Sequence, residues 1–183
     1  VLDRLVAQGL AIRVPNRGAM VRQFERQEIE DLYAMRALLH REAAALIPLP
    51  GLPDYAAALD TLHRAHAAAV AAGNLSAVIA ENEAFHDVLF AACGNALLAE
   101  AIRHYAQMSR AIRSYRIADP ALLAQARDEH AAMIAAIRDA DRPRLVDLCV
   151  RHIEPSKRAY LSAHSHLLAG PAMPVDAATG SKD

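Results

Sequence analysis

Four side chains able to ligate a metal ion or to bond a buried ligand fall on apolar helical stripes of this 183-residue chain. Around the stretch AENEAFHDVLFAACGN (residues 80–95), Val78, Ile79, Phe85, Leu89 and Phe90 recur at three- and four-residue spacing. That spacing makes one face of an amphipathic helix. Asn82 and His86 lie four apart inside the stripe, one above the other. Burying polar groups is costly unless they find partners. These two therefore bond to something inside the protein or bind something brought in. His130 belongs to a second stripe with Leu123, Ala126, Met133, Ile134 and Ile137, and His152 follows Leu145, Leu148 and Cys149 on a third.

A lone histidine on an apolar stripe is ordinarily a hydrogen-bonded core residue. Three of them plus an amide, on three helices, argue for a shared task. Imidazole is the commonest metal ligand, and helix bundles converge their ligands in the core. A metal ion shared by Asn82, His86, His130 and His152 is the chemistry such a pattern could do; hydrogen bonding among them in the core is the alternative. A further helix carries Ile29, Leu32, Tyr33, Leu39 and Ala43, with Arg36 and His40 within or beside that stripe. Arg36 is either a snorkelling or dimer-interface arginine or a planar fork held for a carboxylate or phosphate. His63, His66, His104, His164 and His166 receive no role. The competing chemistry is a metal-dependent bundle enzyme, because three histidines with an open position can activate water. Its candidate bases, Glu83 and Glu129, each neighbour a ligand in sequence and so point about 100° away around the helix. A ferritin-like di-iron site needs a second E-x-x-H beside Glu83–His86, and the sequence has none.

The elements that must position these residues are almost all helical. VLDRLVAQGL reads as the end of a helix closed by Gly9. AIRVPNRGAMVRQF then switches to period two, a hairpin whose tip is Asn16, Arg17 and Gly18. Six helices are predicted after Glu25, over roughly 27–47, 55–72, 76–93, 96–117, 120–140 and 142–167. Three prolines in PLPGLPD stop the first. Asp119–Pro120 and Asp141–Pro143 supply cap-and-proline starts for the last two, and Pro155 should kink the sixth. The fold class is all-α: a six-helix antiparallel bundle, preceded by the hairpin. Residues 169–183 have no periodicity and read as a disordered tail.

Composition agrees with that reading. Hydrophobic residues make up 54%, charged residues 22%, and mean hydropathy is +0.09, the profile of a globular chain rather than a disordered one. Aromatics are only 4% and tryptophan is absent, so the helices pack closely through alanine. The net charge of −1 names no partner. Residues 1–26, however, set Arg4, Arg13, Arg17, Arg22 and Arg26 against Asp3 and Glu25, a local excess of +3 that suits an anion. Cys93 and Cys149 form no CxxC pair and read as reduced core residues of a cytoplasmic protein. No apolar run approaches membrane-spanning length, and no signal peptide is visible.

VLDRLVAQGLAIRVPNRGAMV resembles the end of the recognition helix and the wing of a winged helix-turn-helix in the GntR family of bacterial transcription regulators. YAMRALLHREAAAL, NEAFHDVLFAACGN and DEHAAMIAAIRDADRPRLVDLCVRHI resemble its FadR-type branch, whose helical effector domain is called FCD. The resemblance implies a DNA-binding segment over 1–25, an effector-binding and dimerisation domain over 26–168, and a preceding part of the winged domain upstream of Val1. It also implies a homodimer, a pseudo-palindromic DNA operator and a small organic-acid effector. Carried over residue by residue, the family's metal histidines are His86, His130 and His152, and its aspartate position is Asn82. Arg36 and His40 take the effector side, although a glutamate often stands where His40 is. Arg4, Arg13, Arg17 and Gly18 take the DNA side. Such a basic wing suits a regulator and has no use in an enzyme.

Overall fold

The computed structural model describes residues 11–14, 18–21, 24–50 and 53–165. The expected helix end over 1–10, with Arg4, lies outside the described residues, as do Arg17, Arg22 and the tail over 169–183. The hairpin is present. Strands β1 (Ala11–Val14) and β2 (Gly18–Val21) pair antiparallel, with Ala11 opposite Val21 and Val14 opposite Gly18. Gly18 has φ +84°, a left-handed conformation that glycine adopts without the penalty of a side chain. Arg13 lies in mid-strand and is exposed.

The helices follow as α1 (Arg26–Leu46), α2 (Pro53–Ala71), α3 (Leu75–Ala91), α4 (Ala96–Met108), α5 (Arg110–Ile117), α6 (Pro120–Arg138), α7 (Arg142–Arg151) and α8 (Glu154–Ala163). All six predicted helices are there, two of them broken. The predicted helix over 96–117 divides at Ser109, whose Oγ donates to the Ala106 carbonyl at 3.0 Å. A serine that bonds back to the preceding turn bends a helix, a break that no glycine or proline announces. The second division, at His152 and Ile153, is where Pro155 was expected to act: its ring and missing N–H disrupt the turn before it. The starts of α6 and α7 are as predicted. Asp119 accepts from the Ala121 and Leu122 amides at 2.8 and 3.3 Å, and Asp141 accepts from Arg144 at 3.0 Å.

Helix α1 packs against α4 and α7, α2 against α3 and α6, α6 against α7, and α5 against α8. The main core joins Ile47, Leu59, Phe85, Leu89, Ile134, Ile137 and Leu145. A second cluster, with Phe24, Ile29, Tyr33, Ile112, Ile153 and Tyr160, anchors the chain leaving the hairpin to α1, α5 and α8. Cys93 and Cys149 are free and buried, and burial pushes the Cys149 thiol up to about 12. Among the described residues no helix is long and apolar enough to cross a membrane.

Candidate metal centre and ligand cavity

The stripes that carried the histidines do meet. His86 from α3, His130 from α6 and His152 at the C-terminal end of α7 bring one ring nitrogen each to within 4.8 Å of one another. The rings lie 4.9–5.1 Å apart, centre to centre. His86 Nε2 faces His152 Nε2 at 3.1 Å. Packing fixes the rings: Phe85 stacks on His130 at 4.1 Å, and Phe90 lies parallel to His86 at 5.9 Å.

A carboxylate and a guanidinium hold the third histidine. His152 Nδ1 donates to Glu129 Oε2 at 2.6 Å, and Arg116 donates to the same oxygen at 2.7 Å. Gln125 donates to the other oxygen, also at 2.7 Å. Arg116 donates a second bond to the His152 backbone carbonyl. A carboxylate can only accept, so Nδ1 carries the proton of the neutral ring and Nε2 presents its lone pair to the cluster. Glu129 therefore belongs to the site, against the expectation that its place beside His130 turns it away. A long side chain reaches round its own helix, and α7 brings His152 to meet it.

Burial, more than any neighbouring charge, drives His86, His130 and His152 well below the ordinary imidazole range. All three are neutral at physiological pH, as ligation requires. His86 Nδ1 and both nitrogens of His130 are buried without a hydrogen-bond partner. Buried polar atoms are normally satisfied. These orphaned nitrogens and the shared focus of three neutral rings fit a divalent cation.

The cluster opens on a cavity of about 300 Å³ lined also by Asn82, Arg36, His40 and His66. Asn82 sits one turn before His86 on α3. Arg36 is 5% exposed, with Nε and Nη1 buried and unpartnered and its guanidinium carbon 4.9 Å from the centre of the Tyr33 ring. Its pKa is lowered by burial. His40 faces the Cys149 carbonyl at 3.3 Å and is pushed down to about 3, by burial first and then by Arg36.

Residues 31–155 match the FCD domain family. The chain belongs to that family. No curated protein matched the sequence. The E. coli protein McbR/YncC has the same fold at 18% identity, with a TM-score of 0.77 over 89% of this chain and 78% of its own. A GntR-family transcriptional regulator from Pseudomonas syringae pv. tomato str. DC3000 matches at 22% identity, with a TM-score of 0.58 over 92% of this chain and 70% of its own. The family match and the shared fold bear out the GntR-type, FCD-branch resemblance.

Within this FCD domain, His86, Asn82, His152, Arg36 and His40 line one cavity, and His130 completes the histidine cluster. Arg13 and Gly18 lie on the hairpin and are not among the residues that line the cavity. Both carboxylates weighed as general bases are engaged by guanidinium groups, Glu129 by Arg116 and Glu83 by Arg110 at 3.3 Å. His66 was missed. It is 1% exposed, its ring lies 4.9 Å from that of His130, and it is pushed down to about 4 by burial and then by His63. Its signal was the run Leu59, Leu62, His66, Ala69, which has the same three- and four-residue spacing. Arg116 was missed as well, although it stands four residues after the fully buried Ile112.

Proposed function

We propose that this chain is the sensing part of a transcription regulator that binds a small organic acid at a divalent metal held by Asn82, His86, His130 and His152. The observation that carries the reading is the convergence of three neutral histidines and the unpaired, buried Arg36 on one cavity. A bound divalent ion would supply an electrophilic position for a carboxylate oxygen. Arg36 offers the complementary planar fork, and His40 closes the wall beside it. Asn82 is neutral where the family often places an aspartate, so the centre keeps more positive charge and favours an anionic ligand.

Arg36 and His40 sit on α1, which begins five residues after β2 ends. Glu28 accepts from the Glu25 amide at 2.9 Å, which stiffens that junction. Phe24 is packed into the cluster shared by α1, α5 and α8. A ligand that draws α1 toward α5 therefore acts on the hairpin, and it shifts the equilibrium only by its differential affinity for the two arrangements. DNA recognition falls to the winged segment, through Arg4, Arg13, Arg17 and Gly18, on a pseudo-palindromic operator bound by a homodimer in the cytoplasm. Apolar Met35 and Leu38 on α1, 38% and 48% exposed, and Leu97 on α4, 77% exposed, offer apolar surface that suits a dimer.

Elemental analysis of protein purified without chelator, followed by calorimetric titration with zinc, nickel and manganese, tests the centre. One equivalent of metal per chain is expected. No metal above background, and no heat from any of the three, overturns the metal reading.

A further inference from the structure

The cavity wall carries more positive charge than its own acids neutralise. Five arginines line it: Arg36, Arg103, Arg110, Arg113 and Arg116. Arg116 is matched by Glu129 at 2.7 Å, and the exposed Arg103 acts electrostatically on Asp87. The remaining three share one carboxylate. Glu83 lies 3.3 Å from Arg110 and 3.9 Å from Arg113, and it is itself 39% exposed. Arg36 has none. The acid that acts on it across space, Glu154, is paired with Lys157 at 3.1 Å.

Two guanidinium groups are therefore buried in excess, Arg36 on α1 and Arg113 on α5. The Arg113 side chain is 15% exposed, and among the described residues its other polar contact is a long 3.4 Å bond to the Ala106 carbonyl. Burial, with Arg36 second, pushes its pKa down to about 10. A buried charge short of a partner is costly. Arg36 lacks a carboxylate among the described residues and Arg113 has only a distant share of Glu83, so the wall suits two negative charges that arrive from outside.

Building on the reading above, we propose that the cavity takes a dianion, a compact diacid with one acid group at Arg36 and the histidine cluster and the other at Arg113 and Arg110. Planar guanidinium forks bind carboxylates in bidentate fashion, and a cavity of about 300 Å³ suits a metabolite rather than a larger ligand. A monoacid would satisfy one fork and leave the other buried charge exposed to no partner.

The test compares matched pairs of acids on the whole, metal-loaded chain at constant ionic strength, by calorimetry and thermal shift. The pairs are malonate with propanoate, succinate with butanoate, and glutarate with pentanoate. At least one diacid is expected to bind tenfold or more tighter than its monoacid. Arg113→Gln should shrink that ratio to threefold or less. Arg110→Gln, at the exposed rim, should shrink it in part, and circular dichroism checks that both variants fold. Should Arg113→Gln fail to fold, an undiminished ratio in Arg110→Gln overturns the two-ended arrangement. Monoacids bound as tightly as diacids overturn the dianion and leave the organic-acid reading intact. No heat or thermal shift from any of the six overturns both.

Discussion

His152 shows how much one side chain can be asked to do. Its Nδ1 is tied to Glu129, its carbonyl to Arg116, and its Nε2 to the cluster. Second-layer carboxylates of this kind orient a ligating imidazole and raise its donor strength, and removing them typically costs about 10–100-fold in metal affinity. Glu129→Gln is expected to weaken metal binding within that range in calorimetry, with little loss of helical signal. His86→Ala should abolish binding. Asn82→Asp should tighten it, because a carboxylate adds charge and donor strength that an amide lacks. An unchanged affinity in Asn82→Asp would remove that position from the ligand set. His40 makes a different prediction. Its folded pKa of about 3 lies below the unfolded value of about 6.5, so below pH 6.5 the unfolded chain takes up a proton that the folded chain refuses. Stability is full above that value and falls as the pH drops toward about 3, by up to about 1.4 kcal/mol per pH unit for one such group. In chelator-treated protein, urea midpoints should fall steeply between pH 7 and 4, and His40→Phe should flatten the slope. A slope unchanged in that variant would assign it to the other histidines.

At the scale of elements, the site depends on where helices start and stop. Helix α6 presents His130, Glu129 and Gln125 from a start set by Asp119 and Pro120. Asp119→Ala removes an acceptor from two amides and is expected to cost about 1 kcal/mol. In a chain of this size that lowers Tm by about 2–4 °C, and differential scanning calorimetry reads it directly. A change below 1 °C would mean that the tertiary packing of α6, not its cap, sets its start. The two helix breaks also serve the site. The break at Ser109 starts the short α5 that carries Arg113 and Arg116. The break before Pro155 leaves His152 at the end of α7, beside Ile153 and Ser156 in the cavity wall.

For the whole molecule, the expectation concerns assembly and DNA. Joined to a complete winged helix-turn-helix, the protein should be a dimer at micromolar concentration in sedimentation. It should bind a pseudo-palindromic site with an affinity that falls steeply with salt, as phosphate contacts require. Arg17→Ala should weaken that binding and leave the FCD domain folded. An unchanged affinity in an anisotropy titration would take Arg17 off the contact surface. In the proposed regulator the Phe24 cluster is the route of the signal, since the chain leaving the hairpin is packed on α5, the element that carries Arg113 and Arg116.

Periodicity alone determined that residues after Glu25 fold as helices, and capping chemistry located their starts. Both are local properties, written in i to i+4 neighbours and in the first turn. The burial of His130 and His152 was legible for the same reason, since a polar residue on an apolar stripe is carried inward with it, and Asn82 and His86 are half-buried on the cavity wall. The break at Pro155 was legible because proline cannot donate. Tertiary structure alone decided which stripes face one another. It brought Glu129 from α6 to His152 across 23 positions, and it set Arg113 and Arg36 on one cavity wall, 77 positions apart in sequence. It also gathered His66 to His130. A charged side chain beside a stripe reaches either solvent or a neighbouring helix, and helical phase does not distinguish the two. Only packing does, because the cost of an unpaired buried charge is settled by what the adjacent helix offers it.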